Sequence, residues 1–114
     1  MPYLKIQTNT PLAPDTAKAL LAQASRTVAS ELGKPESYVM VALEPPLSML
    51  FAGTDAPLAY LELKSIGLPE SKTAALSKAL CDLMAEQTDI PQERVYIEFA
   101  NAKGALWGWN GDTF

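Results

Sequence analysis

Leu4 and Ile6 stand between Tyr3, Lys5 and Gln7, and this two-residue alternation predicts a strand over residues 2–8 that opens at the terminus itself. After the turn at 11–14 the period changes. Ala17, Leu20, Leu21, Ala24, Val28 and Leu32 recur at three- and four-residue steps, the apolar stripe of an amphipathic helix with proline in its first turn, Asp15 close behind and Gly33 as its stop. Residues 38–44 read as a second strand closed by Pro45-Pro46, and 47–52 as a short strand before the turn at 53–57. The pattern then begins again: a strand over 58–65, a turn at Gly67-Leu68-Pro69, a helix over 70–88 with Leu76, Leu80, Leu83 and Met84 inward, and a strand over 95–99.

The restart has a fixed offset. Pro35-x-x-x-Val39-x-Val41 matches Pro91-x-x-x-Val95-x-Ile97 at a shift of 56 residues, which also places Leu20 on Leu76 and Val28 on Met84. The chain therefore reads as one domain of two pseudo-repeats, about 2–45 and 58–100, each a β-α-β unit. A crossover through a helix implies parallel strands within a unit, so the predicted fold is α+β: a four-stranded mixed sheet with both helices on one face. Val39 to Leu43 is apolar on both faces, as are parts of 58–63, yet two helices cover only one side. Self-association is the simplest cover for the second. The glycine-punctuated tail over 106–114 adds Trp107, Trp109 and Phe114 and is expected to edge a sheet or line a pocket at an interface.

Composition narrows the chemistry. The 114 residues are 48% hydrophobic and suit a single core. Nine Lys plus Arg against thirteen Asp plus Glu give a net charge of −4 without a basic cluster, which argues against nucleic acid as a partner. With no histidine and one cysteine, Ser-His triads, Cys-His dyads, an internal disulfide and zinc sites are excluded. No apolar run is long enough for a membrane span, and polar Gln7 to Thr10 interrupts the start too early for a signal peptide, so a cytoplasmic location is expected.

Carboxylates, lysine, tyrosine, serine and the terminal amine remain. If Met1 is trimmed, as a small second residue favours, Pro2 carries a free secondary amine at the head of a fixed strand. An α-amino group titrates at about 7.7–8.0, so modest desolvation or a nearby cation leaves it neutral at physiological pH. The plainer reading is a proline that begins an edge strand, where its missing N–H costs nothing. Lys34, just past a helix C-terminus, is either a complement to the helix dipole or an anion clamp. Tyr38 and Tyr96 fit as ordinary strand residues, Glu62 and Glu98 as solvated faces, and Cys81 as core packing.

Met1-Pro2, Gly33-Lys34-Pro35-x-x-Tyr38, Lys64-Ser65-Ile66-Gly67, Arg94-Val95-Tyr96-Ile97 and Gly108-Trp109-Asn110-x-x-Thr113-Phe114 together resemble the macrophage migration inhibitory factor family of the tautomerase superfamily, end to end. The resemblance implies a homotrimer of duplicated β-α-β units enclosing a central channel. It also implies cofactor-independent keto-enol tautomerisation of phenylpyruvate-like 2-oxo acids and of dopachrome-like compounds. Pro2 would be the general base and then acid, and Lys34 with the backbone around Ser65 and Ile66 would hold the carboxylate or carbonyl. Tyr96 from a neighbouring subunit would complete a pocket lined by Tyr38, Trp109 and Phe114.

Three departures bear on this. The vertebrate cytokine of that family has a C-x-x-C pair where this chain has Leu58 to Leu61, so thiol-redox activity is not expected. Glu98 replaces a neutral asparagine of the pocket and should oppose an anionic substrate, and Trp107 replaces a small aliphatic residue and should narrow the site. The competing class is a non-catalytic, cytokine-like binding protein of the same fold, with Pro2 structural and a protein partner on the surface.

Overall fold

Two helices carry the core because each has a single apolar stripe. The computed structural model describes residues 1–114, with β1 (Tyr3–Thr8), α1 (Pro14–Leu32), β2 (Met40–Leu43), β3 (Ala59–Ile66), α2 (Thr73–Gln87), β4 (Val95–Ala102) and a terminal pair β5 (Gly108–Trp109) and β6 (Asp112–Thr113). Leu20, Ala24, Val28 and Leu32 of α1 are buried, as are Leu76, Leu80, Leu83 and Met84 of α2. They meet Leu4 and Ile6 of β1 and Leu61 and Leu63 of β3, all at 0% exposure. Each such side chain withdraws enough apolar surface for about 1.5–3 kcal/mol. Thr8 is buried among them at no hydrogen-bond deficit: its hydroxyl donates to the Leu58 carbonyl at 2.7 Å and accepts the Thr10 N–H at 3.1 Å.

The sheet is mixed and runs β2-β1-β3-β4, parallel at both outer pairs and antiparallel between β1 and β3. This is the α+β architecture the periodicity predicts. At the end of α1, Gly33 takes the left-handed conformation (φ 63°), and the Gly33 and Lys34 N–H groups return to the carbonyls of Ser30 and Ala29. That pairing is a Schellman cap, and it fixes where Lys34 leaves the helix.

Several boundaries differ from the sequence reading. Residues 38 and 39 do not join the second strand, because Pro35 opens a 3₁₀ turn over Glu36–Tyr38 and the chain enters the sheet only when the Met40 N–H reaches the Pro2 carbonyl at 3.0 Å. The expected strand over 47–52 is absent; only Phe51 and Thr54 bridge, across a two-residue turn. Glu70–Lys72 is a 3₁₀ turn that precedes α2, and β4 runs on to Ala102. No helix is long and apolar enough to cross a membrane.

The uncovered sheet face also differs from expectation. Strand register sets Ala42, Lys5, Glu62 and Glu98 in one row, with Met40, Tyr3, Lys64 and Ala100 on one side of it and Gln7, Tyr60 and Tyr96 on the other. The face is thus a charged row flanked by rows that mix aromatic, aliphatic and polar side chains, not a continuous apolar patch, because the alternation in β2 sends only Met40 and Ala42 to this side. Lys5 and Lys64 lie 3.4 Å and 3.8 Å from the Glu62 carboxylate. Burial, then the negative charges of Glu98 and Glu62, push the Tyr60 hydroxyl up to about 12.

Candidate active site

Pro2 is buried where β1 begins, held by its carbonyl's bond to Met40. The amine that precedes it, on Met1, is lowered from 8.0 to about 6, first by burial, then by the Lys34 charge and a hydrogen bond with Lys34. At neutral pH this amine is therefore mainly unprotonated. Lys34 reaches it from the cap of α1. Its ammonium donates to the Ile66 carbonyl at 2.6 Å and forms no ion pair with any carboxylate of the chain, so beyond its bond with the amine it keeps hydrogen-bonding capacity for an anion. Ser65 is fully buried, and its hydroxyl lies 3.4 Å from the same Ile66 carbonyl. The end of β3 thus orients the lysine rather than offering a side chain of its own.

A cavity of about 380 Å³ opens in front of Pro2, and Tyr38, Trp107, Trp109 and Phe114 line it together with Met1, Tyr3, Ser37, Val39, Met40 and Gly108. Its aromatic wall comes from the tail. Asn110 and Gly111 (φ 53° and 81°) make the two-residue turn that brings β6 back on β5. Trp109 then stacks on Phe114 at 5.8 Å and 20°, and Tyr38 meets Trp109 edge-on at 5.8 Å. The Phe114 N–H divides between the carbonyls of Gly104 and Trp107, both at 3.2 Å. Only glycine fits at 104, since a Cβ there would lie 2.6 Å from the Phe114 oxygen. A larger depression of about 540 Å³ near Asn9, Ser48 and Asp55 contains none of the candidate groups.

Pro2, Tyr38, Trp107, Trp109 and Phe114 converge on one cavity; Lys34, anchored on the Ile66 carbonyl, reaches the Met1 amine, and buried Ser65 lies behind that carbonyl. Tyr96 and Glu98 do not join them within one chain. Both lie on the uncovered sheet face, and the Tyr96 row is four residues along β1 from the Tyr3 row, about 13 Å away. Tyr96 is 66% exposed and packs on Phe51 at 4.7 Å, beside a second, wholly apolar cavity of about 270 Å³ that includes Met49, Leu50 and Tyr60. Sequence reasoning missed Tyr3 and Met40 as lining residues. The strand alternation carries that signal, because it puts both on the uncovered face next to Pro2.

The duplicated β-α-β sheet is a fold shared with known proteins, and it places the chain in the tautomerase superfamily. The family model for macrophage migration inhibitory factor (MIF) matches residues 1–114. A macrophage migration inhibitory factor homolog of Brugia malayi is 40% identical over 115 residues, covering 100% of this chain and 99% of its own. The solved structure of the homologue from Prochlorococcus marinus superposes with a TM-score of 0.93 at 42% identity, over 98% of both chains. A protein crystallised after inactivation by 2-oxo-3-pentynoate superposes at 0.88 with 28% identity, over 97% of this chain and 94% of its own. This chain belongs to the macrophage migration inhibitory factor family.

Proposed function

We propose that this protein is a cofactor-independent keto-enol tautomerase of phenylpyruvate-like 2-oxo acids that uses the Pro2 amine, freed by removal of Met1, as its base. The observation that carries this reading is Pro2 at the wall of a largely apolar cavity, preceded by a Met1 amine whose proton affinity burial and the Lys34 charge depress; once Met1 is removed, the amine beside that lysine would be Pro2's own. A base must be neutral to act, and both burial and the neighbouring cation favour the neutral form. In the forward direction the Pro2 nitrogen takes a proton from the carbon next to the carbonyl. The C–H electrons become the new C=C bond, and the carbonyl π electrons pass to oxygen. The same proton, now on the proline, is delivered to that oxygen to give the enol, so nothing is consumed.

Lys34 would bind the carboxylate, and Tyr38, Trp109 and Phe114 would hold the substrate's ring. The relative inactivated by 2-oxo-3-pentynoate, itself a 2-oxo acid, supports this substrate class. Three copies would assemble so that Tyr96 of a neighbour closes the cavity and Glu98 approaches it, which accounts for the distance of both from Pro2 within one chain. The test is phenylpyruvate turnover by protein whose intact mass shows Met1 removed, together with sedimentation. A stable monomer at micromolar concentration would refute the trimer.

A second reading, a MIF-like binding protein without turnover, is favoured by Trp107, whose indole stands in the wall of the Pro2 cavity. Met1, while attached, forms part of the cavity wall and ties the Pro2 nitrogen into an amide, which is no base. Mass and turnover measured on the same sample separate the two readings.

A further inference from the structure

At the Tyr96 end of the sheet the chain makes a turn that its sequence disfavours. Phe51 and Thr54 exchange both backbone hydrogen bonds at 3.0 Å, and the residues between them, Ala52 and Gly53, take left-handed φ of 52° and 75°. Glycine adopts such angles freely, whereas alanine does so only where its surroundings impose them. Arg94 imposes them here. Its guanidinium donates from Nη1 to the Phe51 carbonyl at 3.2 Å, from Nη2 to those of Thr54 and Ala56 at 3.2 Å and 3.0 Å, and from Nε to that of Pro57 at 3.0 Å. No carboxylate pairs with it. The same group lies 5.3 Å from the Phe51 ring centroid, and that ring lies against Tyr96.

We infer that Arg94 is a positioning residue: by fixing the 51–54 turn and the Phe51 ring, it sets the Tyr96 ring at the angle that closes the Pro2 cavity of a neighbouring copy. The inference rests on the tautomerase reading above. An exposed tyrosine without support would sample its rotamers, and ordering it would weaken substrate binding, whereas a ring already braced presents a ready wall. Arginine suits the task because its planar fork reaches carbonyls on several sides at once, which a lysine ammonium does not.

The experiment is phenylpyruvate kinetics on Met1-processed wild type, Arg94→Ala, Arg94→Lys, Tyr96→Ala and the Arg94→Ala/Tyr96→Ala double variant. Arg94→Ala should raise KM by about tenfold while kcat stays within about threefold, and Arg94→Lys should fall between it and wild type. The double variant should be no worse than Tyr96→Ala alone, since Arg94 then has nothing left to position. A general structural defect would instead multiply with the Tyr96 loss. An unchanged KM in Arg94→Ala, or multiplied losses in the double variant, overturns the inference. If Arg94→Ala does not fold, Arg94→Lys alone and with Tyr96→Ala completes the same cycle. A processed wild type with no turnover refutes the tautomerase reading and removes the role assigned to Tyr96, a result distinct from a failure confined to the Arg94 variants.

Discussion

The two halves of the chain use one backbone plan for opposite ends. An offset of 56 residues carries Tyr3 in β1 onto Ala59 in β3, the 3₁₀ turn Glu36–Tyr38 onto Gln92–Arg94, and the buried Leu20 and Val28 onto the buried Leu76 and Met84. The same offset carries Pro2 onto Leu58 and Lys34 onto Ile90, which are 3% and 1% exposed. In the second half both positions are apolar core. In the first, Pro2 is also buried but forms part of the cavity wall, and Lys34 is a half-buried charge that donates to the Ile66 carbonyl. The lysine stands where the fold's own repeat would otherwise have placed a core side chain.

Making the first half copy the second should destroy function in proportion. Pro2→Leu replaces the secondary amine with a residue that retains Met1, and kcat/KM for phenylpyruvate should fall by about 10²–10⁴, the usual worth of a positioned base. Activity equal to wild type, with mass confirming the terminus, would exclude the proline amine.

Next in size come the shared core positions. Leu20→Ala and Leu76→Ala should each cost about 2–5 kcal/mol in urea unfolding, and a large inequality would show that the halves do not share the core evenly.

Lys34→Ile imports the residue at the equivalent position, Ile90, and should raise KM by about tenfold, more than it lowers kcat, the scale of one charge-assisted hydrogen bond. It should also shift the pH profile. Lys34 lowers the proton affinity of the Met1 amine here, and the same cation should act on the Pro2 amine of the processed protein, so kcat/KM should rise with pH to a plateau, and without the cation the same rise should occur at higher pH.

The smallest expected effect is that of Trp107→Val, a gain in kcat/KM of under about threefold, because the indole is only half-buried at the cavity wall. A loss there would mean that Trp107 holds the substrate instead of crowding it.

Much of this was legible in the residues themselves. Helical and strand periods locate α1, α2 and the buried faces of β1 and β3, because burial writes itself into every second or every third to fourth residue. The convergence of Pro2, Lys34 and the tail aromatics came from matching motifs, since no local period places residue 34 beside residue 66. The tail hairpin had a local signal, Asn110-Gly111, whose left-handed angles suit a two-residue turn. Two features were out of reach for different reasons. The bridge between Phe51 and Thr54 depends on Arg94, some forty positions away, and the polar character of the uncovered sheet face depends on strand register that composition does not carry.

Pro45 and Pro46 limit what can be added to the sheet at its β2 edge. β2 is an edge strand of four residues, and such an edge offers its unpaired backbone groups to any passing strand. Beyond Leu43 the chain continues along β1, with the Glu44 and Leu47 N–H groups bonded to Ile6 and Thr8, but the two prolines between them have no N–H to give. A visiting strand therefore meets a ladder that stops after a few rungs. Growth of the sheet by indefinite strand addition is discouraged, and what remains is a short edge of a few backbone groups.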